Sequence, residues 1–236
     1  MKTVNNTFLS YNIRELMKIS EIYDKYKIMP YLQEHLLGVA GTASSICNNF
    51  NKPINKQLIL SVSLLHDIGN IVKEHIEYNV KFYPNYFNSE NTLKWERIKK
   101  EFIDKYGSND YIATYTILKE LSIPDNVYNL IQSLEFAKAP ITTEGTNTEL
   151  KICLYSDARV SPHGVVSLKD RLSEVKERYM RNKGISEEKF NQISESLFQI
   201  EGQIFAHCKI KPEDITEEKV KPFFEELRNF IIETNI

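Results

Sequence analysis

The sequence predicts an all-α fold, and three observations carry that prediction. Glycine and proline are scarce, eight of each in 236 residues, and they fall between periodic segments, not inside them. Apolar residues recur at steps of three and four, the spacing of one helix face. Sustained two-residue alternation is absent, and so are the Asn-Gly and Asp-Gly turns that mark hairpins.

The elements follow in order. Leu32, Leu36, Val39, Ala43 and Ile46 form the first helical stripe, and Leu58, Val62 and Leu65 the second. Ser167 stands where a helix N-cap should, with Asp170 three residues on, ahead of the stripe Leu168, Leu172, Val175 and Tyr179. Phe190, Ile193, Leu197, Ile200 and Ile204 make a long fourth stripe. Pro222 should break or restart the last helical stretch. Two polar or Asn-rich stretches, Tyr78–Asn91 and Ala139–Thr148, are expected to be loops. We therefore expect one helical domain over residues 1–185 and a C-terminal helical extension, 186–236, packing on it.

Composition narrows the function. Hydrophobic residues are 42% of the chain and aromatics 11%, enough for a full core and too many for a disordered chain. Thirty basic against 32 acidic residues leave a net charge of −2, so no polycationic field marks a dedicated DNA-binding protein. Three cysteines with no CxxC pair support neither a disulfide framework nor a thiolate zinc site, and read as small buried apolar residues. The longest nearly apolar run, Leu58 to Leu65, falls far short of the ~20 residues of a spanning helix. The first residues show no apolar signal core. A soluble cytoplasmic protein without membrane contact is the expectation. Walker A, GxGxxG, GxSxG and HExxH strings are all absent.

The chemistry concentrates in a few residues. There are five histidines: His35, His66, His75, His163 and His207. His35 continues the stripe of Leu32, Val39 and Ile46. His66 follows Leu64 and Leu65 and is itself followed by Asp67. Asp157 ends a third apolar context, after Ile152, Cys153, Leu154 and Tyr155. A buried carboxylate needs a partner: a metal ion or Arg159, two residues on, would serve. Imidazole nitrogen and carboxylate oxygen together suit Zn, Mn, Fe, Co or Ni. Each residue alone is more often structural; the ordered set is what stands out.

The string Leu64-Leu65-His66-Asp67-Ile68-Gly69 resembles the signature of the HD-domain (HDIG) metal-dependent phosphohydrolase superfamily, whose pattern is H…HD…D on an all-α core. His35 matches the first histidine, His66 and Asp67 the doublet, and Asp157 the last ligand. Residues Ile117 to Val127 are similar to the helix-turn-helix between doublet and final aspartate, so the resemblance covers roughly residues 28–160. It implies an HD-domain helical bundle with additional C-terminal helices. It implies that His35, His66, Asp67 and Asp157 hold one divalent metal (Mn, Fe, Co, Ni, Zn or Mg). That ion would act as a Lewis acid on a phosphoryl oxygen and acidify a bound water. Asp67 is then the catalytic residue that orients the water or accepts its proton. The substrate would be a nucleotide or another small phosphoester, and a homo-oligomer is compatible with the reading.

Two departures from the family pattern matter. Many members carry a second histidine pair for a second metal. Those positions fall near Asp110 and near 133–135, where there is no histidine, so a mononuclear site is expected. Asp110 and Glu135 are either weaker ligands of a second ion or solvated helix charges. Members often have lysine after the glycine, and some nucleotidase-like relatives a glutamate. Here it is Asn70. Asn70, Lys73 and Arg159 are the expected substrate contacts, Lys73 standing evenly between a phosphate contact and an ordinary exposed lysine, and Arg159 between an anion contact and a structural salt bridge. His163 is a loop histidine or a substrate contact, and His75 and His207 are expected to be structural or surface residues. The mixed charges Arg171, Lys176, Arg178 and Arg181 with Glu174 and Glu177 read as a solvated helix face. The strings of cyclic-dinucleotide hydrolases (the extra histidines and GYP) and the added acidic motif of alarmone hydrolases are missing. A nucleotidase or small phosphomonoesterase remains by elimination. The alternative is a non-catalytic metal-binding or ligand-sensing regulatory domain.

Overall fold

A computed structural model describes residues 14–76, 86 and 89–235. The chain enters through β1 (Arg14–Lys18) and α1 (Ile19–Lys25), then runs through α2 (Pro30–Asn49) and α3 (Lys56–Leu65) into a 3₁₀ turn, Asn70–Lys73. Next come α4 (Ser89–Tyr106), α5 (Asp110–Glu120), α6 (Asp125–Ser133), α7 (Ala139–Glu144) and α8 (Thr148–Asp157). A short hairpin, β2 (Val160–Ser161) and β3 (Gly164–Val165), leads to α9 (Leu168–Lys183) and α10 (Glu187–Phe205). The chain closes with α11 (Glu217–Val220), α12 (Phe223–Arg228) and β4 (Ile231–Asn235).

Helices α2, α3 and α8 pack on one another pairwise and form the centre of the molecule. Each starts where its sequence dictates. Pro30 sits in the first turn of α2, where a missing N–H costs nothing. The Asn55 side chain caps α3 by accepting from Leu58 N (3.0 Å), and Asn147 caps α8 by accepting from Leu150 N (2.8 Å). The first stripe is buried throughout, as are Val62 and Leu65 of the second. On α9, Ser167 caps as its spacing indicates, accepting from Asp170 N, and Leu168, Leu172 and Val175 are buried. All five members of the α10 stripe are buried, and α10 packs on α7, α8 and α9. Pro222 separates α11 from α12.

The all-α expectation holds, with two small additions. β1 pairs antiparallel with β4, Met17 opposite Ile232, and β2 pairs with β3, Val160 opposite Val165. Two expectations need correction. Ala139–Glu144 is a helix, not a loop; Pro140 in its first turn starts it, and Thr143 Oγ1 donates back to Ala139 O (2.8 Å). Of the three cysteines only Cys153 is fully buried, while Cys47 and Cys208 are half-buried. The Tyr78–Asn91 stretch lies mostly outside the described residues, and its last three residues open α4. No helix among the described residues is long and apolar enough to cross a membrane.

Candidate metal centre

Three helices each deliver one donor to the same point. His35 lies in the second turn of α2, on the buried stripe, so its ring points where the stripe points. His66 caps the C-terminus of α3, its N–H donating to Val62 O (3.0 Å). Asp157 is the last residue of α8. The C-terminal ends of α3 and α8 both carry negative partial charge, which favours a cation here and opposes an isolated carboxylate.

The turn after His66 has to leave the helix sharply and lie against α5. Gly69 makes this fit: its N–H donates to Thr114 Oγ1 (3.1 Å), and a Cβ there would meet Thr114 N at 2.4 Å. The glycine of the doublet motif is thus a packing requirement, not a ligand.

His35 Nε2 lies 3.3 Å and His66 Nε2 3.5 Å from Asp157 Oδ1, and the two imidazole rings are 5.8 Å apart. One donor atom from each of these three residues lies within 4.8 Å of the others. Asp67 Oδ2 stands beside them, 3.8 Å from His66 Nε2. His66 Nδ1 is 3.0 Å from Ser63 O, an acceptor only, so Nδ1 carries a hydrogen and Nε2 is the atom left to take either a proton or a metal. That Nε2 is buried and has no hydrogen-bond partner. Buried polar atoms are rarely left so. Two imidazoles and a carboxylate converging on such an atom fit a divalent transition metal.

Electrostatics give the same answer. Burial works against a charged His66, yet Asp67 and Asp157 more than offset it and lift its pKa to about 9. Burial would also raise the Asp157 carboxyl, but His35 and His66 beside it hold it well below the usual carboxylate range. The pocket calls for positive charge, which a proton supplies in the metal-free protein.

The neighbouring residues divide sharply. Asn70 is buried, and its amide donates to Asp67 Oδ2, so it positions the carboxylate where a substrate contact was expected. Lys73 Nζ reaches Asp110 Oδ2 at 2.6 Å. Asp110, with a side chain only 17% exposed, is not a solvated helix charge. Glu135 pairs with Lys138 at 3.0 Å. Arg159 is the clearest correction. It is 2% exposed, and Nη2 donates to Ile215 O (3.0 Å) and Nη1 to Pro212 O (3.3 Å). Its remaining bonds go to Val166 O and the Tyr155 hydroxyl. Four of its five N–H donors are spent inside the protein, two of them fastening the chain beyond α10, so its role here is structural. His75 and His163 are exposed, and His207 is half-buried beside Lys52 Nζ at 2.8 Å.

Residue patterns alone did not single out the aromatic group around Tyr179. The Tyr179 phenol is pushed up by burial and then by the charge of Asp157, with Arg178, Arg171 and Lys73 acting the other way. Its ring packs on Phe136 at 4.5 Å, and both lean on the buried Phe190. Tyr111, at the start of α5, is pushed up to about 12 by burial together with Glu135 and Asp110. Tyr179 was legible only as the last member of a stripe. Arg171, expected on a solvated face, has a side chain only 15% exposed and bonds Glu174.

A protein-family model described as the HD domain matches residues 32–158, over half of the chain. No curated protein and no solved structure matches it. The matched span begins just before His35 and ends just after Asp157, enclosing every donor described above. The chain therefore belongs to the HD-domain family, whose members are in general metal-dependent hydrolases.

Proposed function

We propose that this protein is a divalent-metal-dependent phosphohydrolase acting on a nucleotide or another small phosphoester. One observation carries the reading: the buried Nε2 of His66, which makes no hydrogen bond and converges with His35 and Asp157 on one point. An ion held there supplies Lewis acidity to a phosphoryl oxygen and makes a nearby water a better nucleophile at neutral pH. His35, His66 and Asp157 would hold it, with Asp67 beside them.

The chain's own contribution is positional. Asp67 orients the attacking water and accepts its proton, while Asn70 fixes the carboxylate through Oδ2. The water oxygen bonds to phosphorus, the ester P–O bond breaks, and the alcohol leaves with a proton. Lys73, held by Asp110 at 2.6 Å, is the cation assigned to a phosphoryl oxygen in this reading.

One observation favours the alternative, a ligand-sensing domain without turnover: the Asn70 amide already occupies Asp67 Oδ2. A single assay separates the two. Chelated protein is supplied with Mn, Co, Ni, Mg or Zn, and phosphate release is followed over a panel of nucleotides and generic phosphoesters. Metal-dependent release that vanishes in Asp67→Ala supports the hydrolase. Metal uptake with no release from any substrate supports the sensor. Release that survives Asp67→Ala refutes this active site.

A further inference from the structure

A cleft of about 410 Å³ lies between α4 and the junction of α1 and α2, a volume in the range of small-molecule sites. Three cations line it: Lys27 from the α1–α2 turn, and Lys94 and Arg97 from α4. Asp24 adds one carboxylate, and Ile28, Pro30 and Ile98 add apolar surface. Trp95, the single tryptophan of the chain, lines the cleft too and is 8% exposed. Among the described residues its indole N–H meets no acceptor, and it is not sealed from solvent. Lys94 has no carboxylate partner among the described residues; its ammonium rests 5.2 Å from the centre of the Trp95 ring, which steadies the charge there. Lys27 ends α1 in the left-handed region (φ 47°), with Ile28 N donating to Tyr23 O (2.9 Å) and Lys27 N to Asp24 O (3.1 Å). Glycine is usual at this place, because a Cβ is strained there. Within the chain the lysine gains one ion pair, to Glu101 at 3.0 Å, with both side chains about half exposed. Such pairs contribute little, so the fold alone does not account for a lysine at a strained position.

We propose that this cleft is a binding site for a nucleoside monophosphate, with the phosphate on Lys27, Lys94 and Arg97. A phosphate dianion answers the surplus of positive charge, and the Arg97 guanidinium offers it a planar fork. Asp24 is an acceptor suited to a ribose hydroxyl. The apolar lining and the Trp95 N–H suit a base, which has both a ring face and polar edges. A bare phosphate ion would leave Asp24 and the apolar lining unused. None of the residues around the cleft is a ligand of the metal centre, so the inference stands whether or not that centre holds an ion.

Because Trp95 is the single tryptophan, its emission reads this cleft directly and without turnover. The full chain, stripped of metal with chelator, is titrated with AMP, adenosine and inorganic phosphate at constant ionic strength. AMP should change the emission saturably. Adenosine, which lacks the phosphate, and phosphate, which lacks the rest, should each bind about tenfold more weakly or worse. Lys94→Gln combined with Arg97→Gln should weaken AMP by a similar factor; both side chains are exposed, so the variant should fold, and melting curves check that it does. Lys27→Gly should also weaken AMP while the melting temperature holds or rises, since glycine relieves the left-handed strain. A lysine with a purely structural role would move the melting temperature and leave AMP binding alone, and that result would overturn the role of Lys27. The proposal as a whole fails if AMP gives no saturable change at millimolar concentration, or if adenosine or phosphate binds as tightly as AMP. It fails equally if AMP binding survives the Lys94/Arg97 variant and disappears in Asp157→Ala, which would put the nucleotide at the metal centre instead.

Discussion

Replacing Arg159 by methionine gives the sharpest test of how this molecule is held together. Methionine matches much of the side-chain volume and removes the charge and all donors. Four acceptors lose their partner: the carbonyls of Val166, Pro212 and Ile215, and the Tyr155 hydroxyl. The bonds to Ile215 O and the Tyr155 hydroxyl are buried, so solvent replaces them poorly. A hydrogen bond to a charged group contributes about 1.5–3 kcal/mol, so losing these two costs about 3–6 kcal/mol; Ile215 O is left stranded, while the Tyr155 hydroxyl keeps its bond to Glu201 Oε2 (2.7 Å). Breaking a buried charged network costs about 3–5 kcal/mol, the same range. We expect a loss of about 4 kcal/mol, a large share of the ~5–15 kcal/mol of a typical domain. At a urea dependence of about 2–3 kcal/mol per molar, the midpoint should fall by roughly 1.3–2 M. Amides between Ala206 and Ile215 should exchange faster, because two of the lost bonds hold that segment. Arg159→Lys should fall between the two, since lysine keeps the charge but not the planar fork. The reasoning fails if Arg159→Met unfolds at the wild-type midpoint while its KM for a phosphoester rises. Arg159 would then be the anion contact that sequence position suggested.

Three further outcomes follow from the same geometry. Gly69→Ala places a Cβ 2.4 Å from Thr114 N; the forced shift should cost about 1–3 kcal/mol and weaken metal affinity, read by thermal melts with and without Mn²⁺. Asn70→Leu removes the donor to Asp67 Oδ2; loss of such a supporting contact should lower metal affinity or turnover about 10–100-fold with little change in melting temperature. In the metal-free protein, His66 titrates near 9 against an ordinary 6.5. A raised folded-state value means this stabilisation is complete below about pH 6.5 and is lost as pH rises through 9. The gap corresponds to about 3 kcal/mol, and His66→Gln should flatten that part of the stability–pH curve. Metal affinity should rise over the same interval, since the ion replaces the His66 proton. A metal affinity independent of pH from 6 to 9 would contradict this assignment of His66.

What could be read in the sequence was whatever has a short period or a distinctive local chemistry. The stripes around Leu32–Ile46 and Phe190–Ile204 are buried as their spacing requires. His35, His66 and Asp157 were legible because polar metal-binding groups on apolar faces are costly, and costs of that kind leave a trace in the pattern. Pairings between distant segments left no such trace. Lys73 meets Asp110 only because the turn after the doublet is pressed on α5 through Gly69 and Thr114. Arg159 sits two residues after Asp157 but faces the other way, toward a segment some 50 residues on. Helix α7 reads as a loop in sequence because its threonines and glutamate mimic turn composition, while its contacts to α10 come from tertiary packing. Strands β1 and β4 each lack a partner nearby in the chain, so neither could be recognised alone.

The donors converge from residue 35 on α2, residue 66 beyond α3 and residue 157 at the end of α8. An ion gripping all three would act as a removable staple across more than half of the chain. Closing loops of that length in the unfolded chain is entropically costly, so the ion has little hold on anything but the folded form. Its presence at a hundredfold excess over Kd would add about 2.7 kcal/mol to the folded state. The lifetime of this protein in a cell should then track metal supply: chelation should shorten it, and the melting temperature should climb with ion concentration instead of reaching a fixed value.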